Sequence, residues 1–429
     1  MNVANNALLS RHRESLRGHV APGSRSFGEL RFSEIVIGVM LILTGLLDAL
    51  QKVKLGAISA NGLLTALYCL LVFLLMLMRG GISSKVLRIL APAFLFGLWA
   101  LLAVFWTHSR STEMIQPLTV LLSFIGALML VSDMAERDNP LGFWFITLIP
   151  KVLAFASILL VGSLVLMGGL HVEDAQLAGR AYGIYASVGV MWLMAGWRIG
   201  ERKNRIYILF IIVIIAASLS RTTLITCILA IPFMVFFRPK GLSSWIRPIL
   251  MLIILGAVAV VAILSVPALH KRFLSAGDRG LSVGGTSIST QGRAQIWAAV
   301  FKDAQQSPWI GHGPGSSSLY VAKVTSGVVK EPHNDYLRLF HDYGMVGVFL
   351  WLWLIYSLFK TIRKGYRIAE RRNLLGAQRC IVSGLGVIVT VLICMLTDNI
   401  LVYAQPMLLV AILLGAAVGY SLSLQARYA

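Results

Sequence analysis

The sequence predicts an all-α, polytopic membrane protein with about twelve transmembrane helices and one helical loop domain outside the bilayer. Three observations predict this class. Of the 429 residues, 57% are hydrophobic and only 13% are charged, whereas soluble domains carry about 25% charged residues. The apolar residues are gathered in blocks of about 20, the length that a helix needs to cross a hydrocarbon core about 30 Å thick. A single long polar segment interrupts these blocks.

Twelve apolar blocks give the predicted spans. Only Ser220 and Arg221 separate the seventh block from the eighth, so these two are predicted as neighbouring spans with a very short turn. The blocks lie at 35–50, 62–78, 86–106, 117–132, 147–169, 181–198, 206–219, 222–237, 248–268, 345–360, 380–397 and 400–423.

These blocks divide the chain into four parts. Residues 1–34 are polar and rich in arginine, which predicts a cytoplasmic tail rather than a cleaved signal peptide. Residues 35–268 hold nine predicted spans, residues 269–344 form the predicted periplasmic loop domain, and residues 345–429 hold the last three spans and the C-terminus.

The distribution of lysine and arginine predicts the orientation. With the N-terminus inside, 25 of the 38 Lys and Arg residues fall on the inner side, and 8 of the other 13 lie in the long loop. Long loops carry little weight in the positive-inside rule. Both termini are therefore predicted to be cytoplasmic, and the net charge of +20 needs no nucleic acid partner to explain it.

Neither a metal nor another cofactor is predicted. All four cysteines fall inside apolar blocks, so we expect neither disulfides nor a zinc site. Metal-dependent sugar transferases gather carboxylates around Mg²⁺ or Mn²⁺, and the outer loops contain no Asp-x-Asp sequence. Arginine is the alternative for neutralising an anionic leaving group, because its planar guanidinium binds phosphate oxygens bidentately.

Two amphipathic helices are predicted in the long loop. The first begins after Thr290 and ends before Pro308, with apolar residues at helical spacing. The second begins at Pro332, a favourable first helical residue, and ends at Gly344. A turn-rich segment, Gly311–Gly315, lies between them. The apolar residues of the first helix are Ile296, Trp297, Val300 and Phe301.

His333 is the first candidate for chemistry. It is predicted to lie in the first turn of the second loop helix, where the positive end of the helix dipole disfavours the imidazolium form. A neutral imidazole near pH 7 suits a general base. On spacing alone, a solvated surface histidine is the more frequent alternative.

Three arginines on the outer side are candidates for binding an anion. Arg221 lies at membrane depth, where a charge is costly unless it faces a polar cavity or an anion. Arg180 opens the sixth span at its outer end and can also reach the interface by snorkelling. Arg293 lies one turn before Trp297 in the first loop helix, and by itself is typical of a solvated charge.

Four short segments form a recognisable set: Gly292–Trp297 (GRAQIW), Pro308–Gly315 (PWIGHGPG), Pro332–Leu337 (PHNDYL) and Gly344–Gly347 (GMVG). Together they resemble the O-antigen ligase and polymerase superfamily of bacterial membrane proteins. The turn that contains Arg221 also looks like that of the family, and the twelve-span layout extends the resemblance over most of the chain.

The resemblance implies a metal-independent glycosyl transfer at the periplasmic face of the inner membrane, with an undecaprenyl-pyrophosphate-linked glycan as donor. It implies that His333 matches the essential histidine of the family, and that Arg221 and Arg293 match its pyrophosphate-binding arginines, with Arg180 as a third candidate. Three residues of the same segments are candidates for supporting roles: His312, Asn334 and Trp297.

Several activities occur in this superfamily. Ligases transfer O-antigen to the lipid A–core acceptor, polymerases extend it on its lipid carrier, and protein O-oligosaccharyltransferases transfer glycans to Ser or Thr. The single dominant outer loop favours the ligase, whose partners would be the lipid-linked donor, the lipid A–core acceptor and membrane lipid. Polymerase and protein O-oligosaccharyltransferase are the alternatives.

Three other classes compete with this superfamily. A lipid-linked glycan flippase or transporter often contains an inverted repeat, and none is visible. A cell-wall polymerase of the shape-and-division type would use an aspartate of the outer loop, but the surrounding motif does not fit. A membrane scaffold gives no reason for Arg221. The aspartates available to the cell-wall polymerase reading are Asp278, Asp303 and Asp335.

Overall fold

The structure, a computed structural model, confirms a helical fold. It describes residues 31–50, 54–55, 58–109, 111–166, 179–217, 221–236, 243–266, 280–283, 286–289 and 293–428. Fourteen α-helices lie within these ranges. Two short antiparallel hairpins accompany the helices and were not predicted. Strands β1 (Lys54–Leu55) and β2 (Ile58–Ser59) form the first hairpin, and β3 (Gly280–Val283) and β4 (Thr286–Ser289) form the second.

Twelve of the helices overlap the twelve apolar blocks. The other two, α10 (Arg293–Ala304) and α11 (Ser316–Val324), lie in the segment 269–344, which is called the loop domain below, and α11 was not predicted. The twelve are α1 (Phe32–Leu50), α2 (Ala60–Met78), α3 (Ser84–Leu102), α4 (Ser111–Arg137), α5 (Trp144–Leu166), α6 (Gly179–Arg198), α7 (Asn204–Ala217), α8 (Arg221–Phe236), α9 (Ser243–Ser265), α12 (Asp335–Arg371), α13 (Leu375–Thr397) and α14 (Ala404–Tyr428).

Six helical stretches of the described chain are long and apolar enough to cross a membrane, and shorter apolar helices accompany them. The protein is therefore a helical membrane protein, while the count of twelve crossings stays a prediction. The six stretches are Ser84–Trp106, Glu113–Arg137, Trp144–Gly162, Asp335–Arg371, Leu375–Thr397 and Ala404–Tyr428.

The last helix, α14, lies at the centre of the bundle. In its apolar window 94% of the residues are buried, against 39–72% in the other five stretches. Small residues allow this position, because they let helix backbones approach closely in a membrane. A Cβ at Gly419 would lie 2.2 Å from the carbonyl oxygen of Ser132, and one at Gly415 would lie 3.1 Å from that of Leu128. Helix α14 thus packs directly on the backbone of α4.

Ion pairs gather at one end of the bundle. The Asp133 carboxylate pairs with Arg79 at 3.3 Å and with Arg137 at 2.9 Å, and Lys85 lies 3.5 Å from Glu136. These residues belong to the side that the distribution of Lys and Arg predicts to be cytoplasmic. The loop domain lies at the opposite end of α4, where a Cβ at Gly315 would lie 2.6 Å from the carbonyl oxygen of Glu113.

Helix α12 joins the loop domain to the bundle through a kink at Gly344. The sequence predicted that the loop helix ends at this glycine, and φ of 65° with ψ of −168° does break the helix there, although helical structure resumes at Met345. The kink leaves backbone groups without intrahelical partners. Backbone N–H groups of His312 and Gly313 donate to the carbonyls of His341 (2.9 Å) and Asp342 (2.8 Å), and Met345 donates to Pro308 (2.8 Å). The segment 308–313 is thereby fixed against the kink.

Replacing Gly344 with alanine is expected to lower the free energy of unfolding by about 2–6 kcal/mol. The backbone conformation of Gly344, with φ of 65° and ψ of −168°, is nearly exclusive to glycine and costs another residue about 1–3 kcal/mol. Overpacking adds about 1–3 kcal/mol, because the new Cβ would lie 2.2 Å from the carbonyl oxygen of Trp309. Gly327→Ala is the matched control, since Gly327 has φ of +81° but no atom within 4 Å of a built Cβ. Thermal unfolding of both variants in one detergent tests this. Equal losses in both variants would show that close packing at the kink contributes nothing.

Candidate active site

His333 lies just before helix α12 rather than in its first turn. The sequence predicted a helix from Pro332, but α12 begins at Asp335, because the Asn334 side chain caps it by accepting a hydrogen bond from the backbone N–H of Leu337 at 3.0 Å. His333 has φ of 53°. A positive φ in a non-glycine residue costs of order 1–3 kcal/mol, and such strained residues are enriched at functional sites.

Two neighbours hold His333 in this conformation. The indole Nε1–H of Trp297, on α10, donates to the carbonyl oxygen of Pro332 at 2.7 Å. On the other side, the cap formed by Asn334 fixes the start of α12. Trp297 and Asn334 therefore fix the backbone on both sides of His333, and these contacts support the positioning roles proposed for them.

The His333 ring faces the turn that follows α13. Its Nδ1 lies 2.9 Å from Nδ2 of Asn399 and 3.9 Å from Oδ1 of Asp398. The side chain of His333 is 16% exposed, whereas that of Asp398 is 1% exposed. The sequence analysis missed both partners. The sequence could have indicated Asp398, because it is a charged residue at the edge of an apolar block. The same property singled out Arg221.

Arg293 reaches the same turn from the loop domain. It is the first residue of α10, and its Nη1 donates to the carbonyl oxygen of Thr397 at 2.8 Å. Thr397 is the last residue of α13 and directly precedes Asp398. The turn 397–399 therefore contacts both His333 and Arg293.

Arg221 and Arg180 lie on helices that end near this turn, although their side chains are outside the described part of the structure. Arg221 is the first residue of α8, and the next residue, Thr222, accepts a hydrogen bond at 3.1 Å from the hydroxyl of Thr397. Arg180 lies at the start of α6. One turn later, a Cβ at Gly183 would lie 2.7 Å from Oγ1 of Thr223. The backbone therefore brings both arginines to the end of the bundle that contains His333.

His312 belongs to a second cluster with Asp303 and His341. Its Nε2 lies 3.1 Å from the carbonyl oxygen of Asp303, and its ring centroid lies 4.8 Å from that of His341. Tyr320 lies beside this cluster, 5.9 Å from the His341 ring. Burial and the charge of Asp303 raise the pKa of the Tyr320 hydroxyl. The described contacts of His312 are therefore with other residues of the loop domain.

Two of the three aspartates that a cell-wall polymerase could use, Asp303 and Asp335, form structural contacts here. The buried Asp335 accepts a hydrogen bond from the backbone N–H of Leu401 at 2.9 Å and pairs with Arg338 at 3.3 Å. Asp303 lies 2.9 Å from Nε2 of His341. Asp278 is outside the described residues. The two described aspartates therefore support the loop domain and its attachment to the bundle.

One known protein family matches the part of the chain that contains His333, Arg293 and Arg221. A family model described as O-antigen ligase matches residues 206–352, about a third of the chain. The matched segment contains Arg221, Arg293 and His333, but not the turn 397–399. No match was found among curated proteins. Residues 206–352 are thus similar to the O-antigen ligase family over about a third of the chain.

Proposed function

We propose that the protein is an O-antigen ligase. It transfers O-antigen polysaccharide from undecaprenyl pyrophosphate to the lipid A–core acceptor at the periplasmic face of the bacterial inner membrane. The observation that carries this proposal is the convergence of His333, Arg293 and the start of α8 on the turn 397–399. All of these except the turn lie inside the segment that matches the O-antigen ligase family model.

The reaction is a single displacement at the anomeric carbon of the donor. The oxygen of an acceptor hydroxyl forms a bond to this carbon while the bond from the carbon to the pyrophosphate oxygen breaks, so the configuration inverts. His333 accepts the proton of the hydroxyl. The pyrophosphate leaves with the electron pair, and Arg221 and Arg293, with Arg180 as a third candidate, stabilise its charge. No metal takes part in this chemistry.

The base has to present an unprotonated nitrogen to the acceptor, and two observations support Nε2 in this role. The Asp398 carboxylate, 3.9 Å from Nδ1, favours a proton on Nδ1. The buried Oδ1 of Asn399 has no hydrogen-bond partner among the described residues. The two ends of an amide are nearly isosteric, so a turned Asn399 accepts a hydrogen bond from Nδ1–H. The lone pair of Nε2 is then available to accept the proton of the acceptor hydroxyl.

The first experiment is transfer by the purified full-length protein in EDTA. Undecaprenyl-pyrophosphate-linked glycan and lipid A–core are supplied, and the lipid A–core band is followed on a gel. We expect a ladder of glycosylated lipid A–core without added metal. Longer glycans on the lipid carrier, with an unchanged lipid A–core band, would identify a polymerase instead. No product in EDTA or with metal restored would overturn the enzyme assignment and favour a transporter.

A further inference from the structure

We propose that Asp303, His312 and His341 form a binding site for one divalent transition-metal ion of the zinc type, which ties the loop domain together. The three residues come from three different elements. Asp303 lies in the last turn of α10, His312 in the glycine-rich segment, and His341 in the part of α12 before the kink. An ion bound by all three would therefore link these elements at one point.

The ligand atoms already lie close together. Oδ2 of Asp303 is 2.9 Å from Nε2 of His341 and 3.9 Å from Nε2 of His312, and all three atoms lie within 4.8 Å of one another. Tetrahedral zinc holds its ligands at about 2.0–2.1 Å from the ion, which separates neighbouring ligand atoms by about 3.3 Å. The observed separations, from 2.9 Å to at most 4.8 Å, lie around this spacing.

A second carboxylate orients the buried histidine. Nδ1 of His341 lies 3.2 Å from Oδ1 of Asp342, so Nδ1–H donates to this carboxylate and Nε2 is the nitrogen directed at Asp303. Asp342 is held in turn by the hydroxyl of Ser316 at 3.0 Å and the backbone N–H of Ser317 at 2.8 Å. Metal-ligating histidines usually donate their second N–H to a carboxylate or carbonyl in this way.

The donor set and its exposure indicate the class of ion. Two imidazoles and one carboxylate suit zinc and similar transition metals, whereas calcium and magnesium prefer oxygen ligands alone. The side chain of His341 is 1% exposed, while those of His312 and Asp303 are both 19% exposed. The open side leaves room for a water as fourth ligand and for entry of the ion.

The role of this ion is structural. His333, the proposed base, contacts the turn 397–399, whereas His341 contacts α10 and the glycine-rich segment. The proposed ion therefore stabilises the loop domain, does not contact the reacting atoms and is not required for transfer by the folded protein below its Tm. The expectation of no zinc site rested on the cysteines and did not consider His and Asp ligands. These ligands are hard to find from the sequence, because Asp303 and His341 are 38 positions apart.

The test is metal binding by the full-length protein, purified in detergent without a polyhistidine tag and stripped with EDTA. We expect one equivalent of Zn²⁺ to bind, one equivalent of Co²⁺ to give the visible absorption of a tetrahedral site, and Zn²⁺ to raise Tm in a concentration-dependent way. Affinity should fall at least about 10-fold in His312→Gln and in Asp303→Asn. These variants leave the buried His341 in place, and the exposed histidine variant His108→Gln is the control.

Two results would overturn the proposal. The first is a wild-type protein that binds less than one equivalent of Zn²⁺ and shows no Tm shift. The second is binding by His312→Gln and Asp303→Asn that equals that of His108→Gln, because the ion would then lie elsewhere. Both readouts are independent of glycan transfer, so failure of this proposal leaves the proposed ligase activity untouched.

Discussion

Replacing His333 with alanine is expected to lower the rate of glycan transfer by roughly 10²- to 10⁴-fold, the usual contribution of one positioned general base. The imidazole is held by the backbone contacts of Trp297 and Asn334 and by the turn that contains Asp398 and Asn399. Alanine removes the base and leaves these supports in place. Single-turnover transfer to lipid A–core measures the chemical step.

Two controls separate loss of the base from loss of the fold. His108→Ala removes an exposed histidine near the outer end of α3, and its transfer rate should equal that of the wild-type protein. Added imidazole should restore part of the activity of His333→Ala, because a free base can enter the space that the ring leaves. A well-folded His333→Ala variant that transfers at the wild-type rate would disprove the assignment of the base.

Local sequence patterns were sufficient for the helices of the bundle but not for the details of the loop domain. Each apolar block became a helix because its composition and length fix this outcome locally. The start of α12 was misplaced because Pro332 and Asn334 are both favourable near a helix start, and the side-chain cap of Asn334 decided between them. The nine-residue helix α11 was missed because it is short and begins with three serines.

The residues of the candidate site were only partly predictable, because motifs identify residues within one segment but not contacts between distant segments. His333 and Arg293 lie in recognisable motifs of the long loop. Their partners lie in the turn 397–399, and 66 residues separate His333 from Asn399. Spacing along the chain carries no information about such a contact, which arises only when α13 and the loop domain pack at the same end of the bundle.

Replacing Arg293 with alanine is expected to lower kcat for transfer by roughly 10²- to 10³-fold, the typical cost of removing one donor that stabilises developing negative charge. Arg293 is directed at the site by the hydrogen bond from its Nη1 to the carbonyl oxygen of Thr397 at 2.8 Å. Arg293→Lys should restore only part of the loss, because an ammonium lacks the planar fork that binds two phosphate oxygens. Transfer kinetics with varied donor concentration measure both effects.

A merely structural role of Arg293 predicts a different result. Loss of the bond to Thr397 alone would lower Tm and leave the response to pyrophosphate unchanged. A role in donor binding predicts that inorganic pyrophosphate inhibits the wild-type protein and inhibits Arg293→Ala at least about 10-fold more weakly, since a charge-assisted contact to phosphate contributes about 1.5–3 kcal/mol. Lys302→Ala, an exposed change on the same helix, should match the wild-type protein in transfer and inhibition. Equal inhibition of wild type and Arg293→Ala would exclude Arg293 from the pyrophosphate site and leave the arginines of α6 and α8 to bind the leaving group.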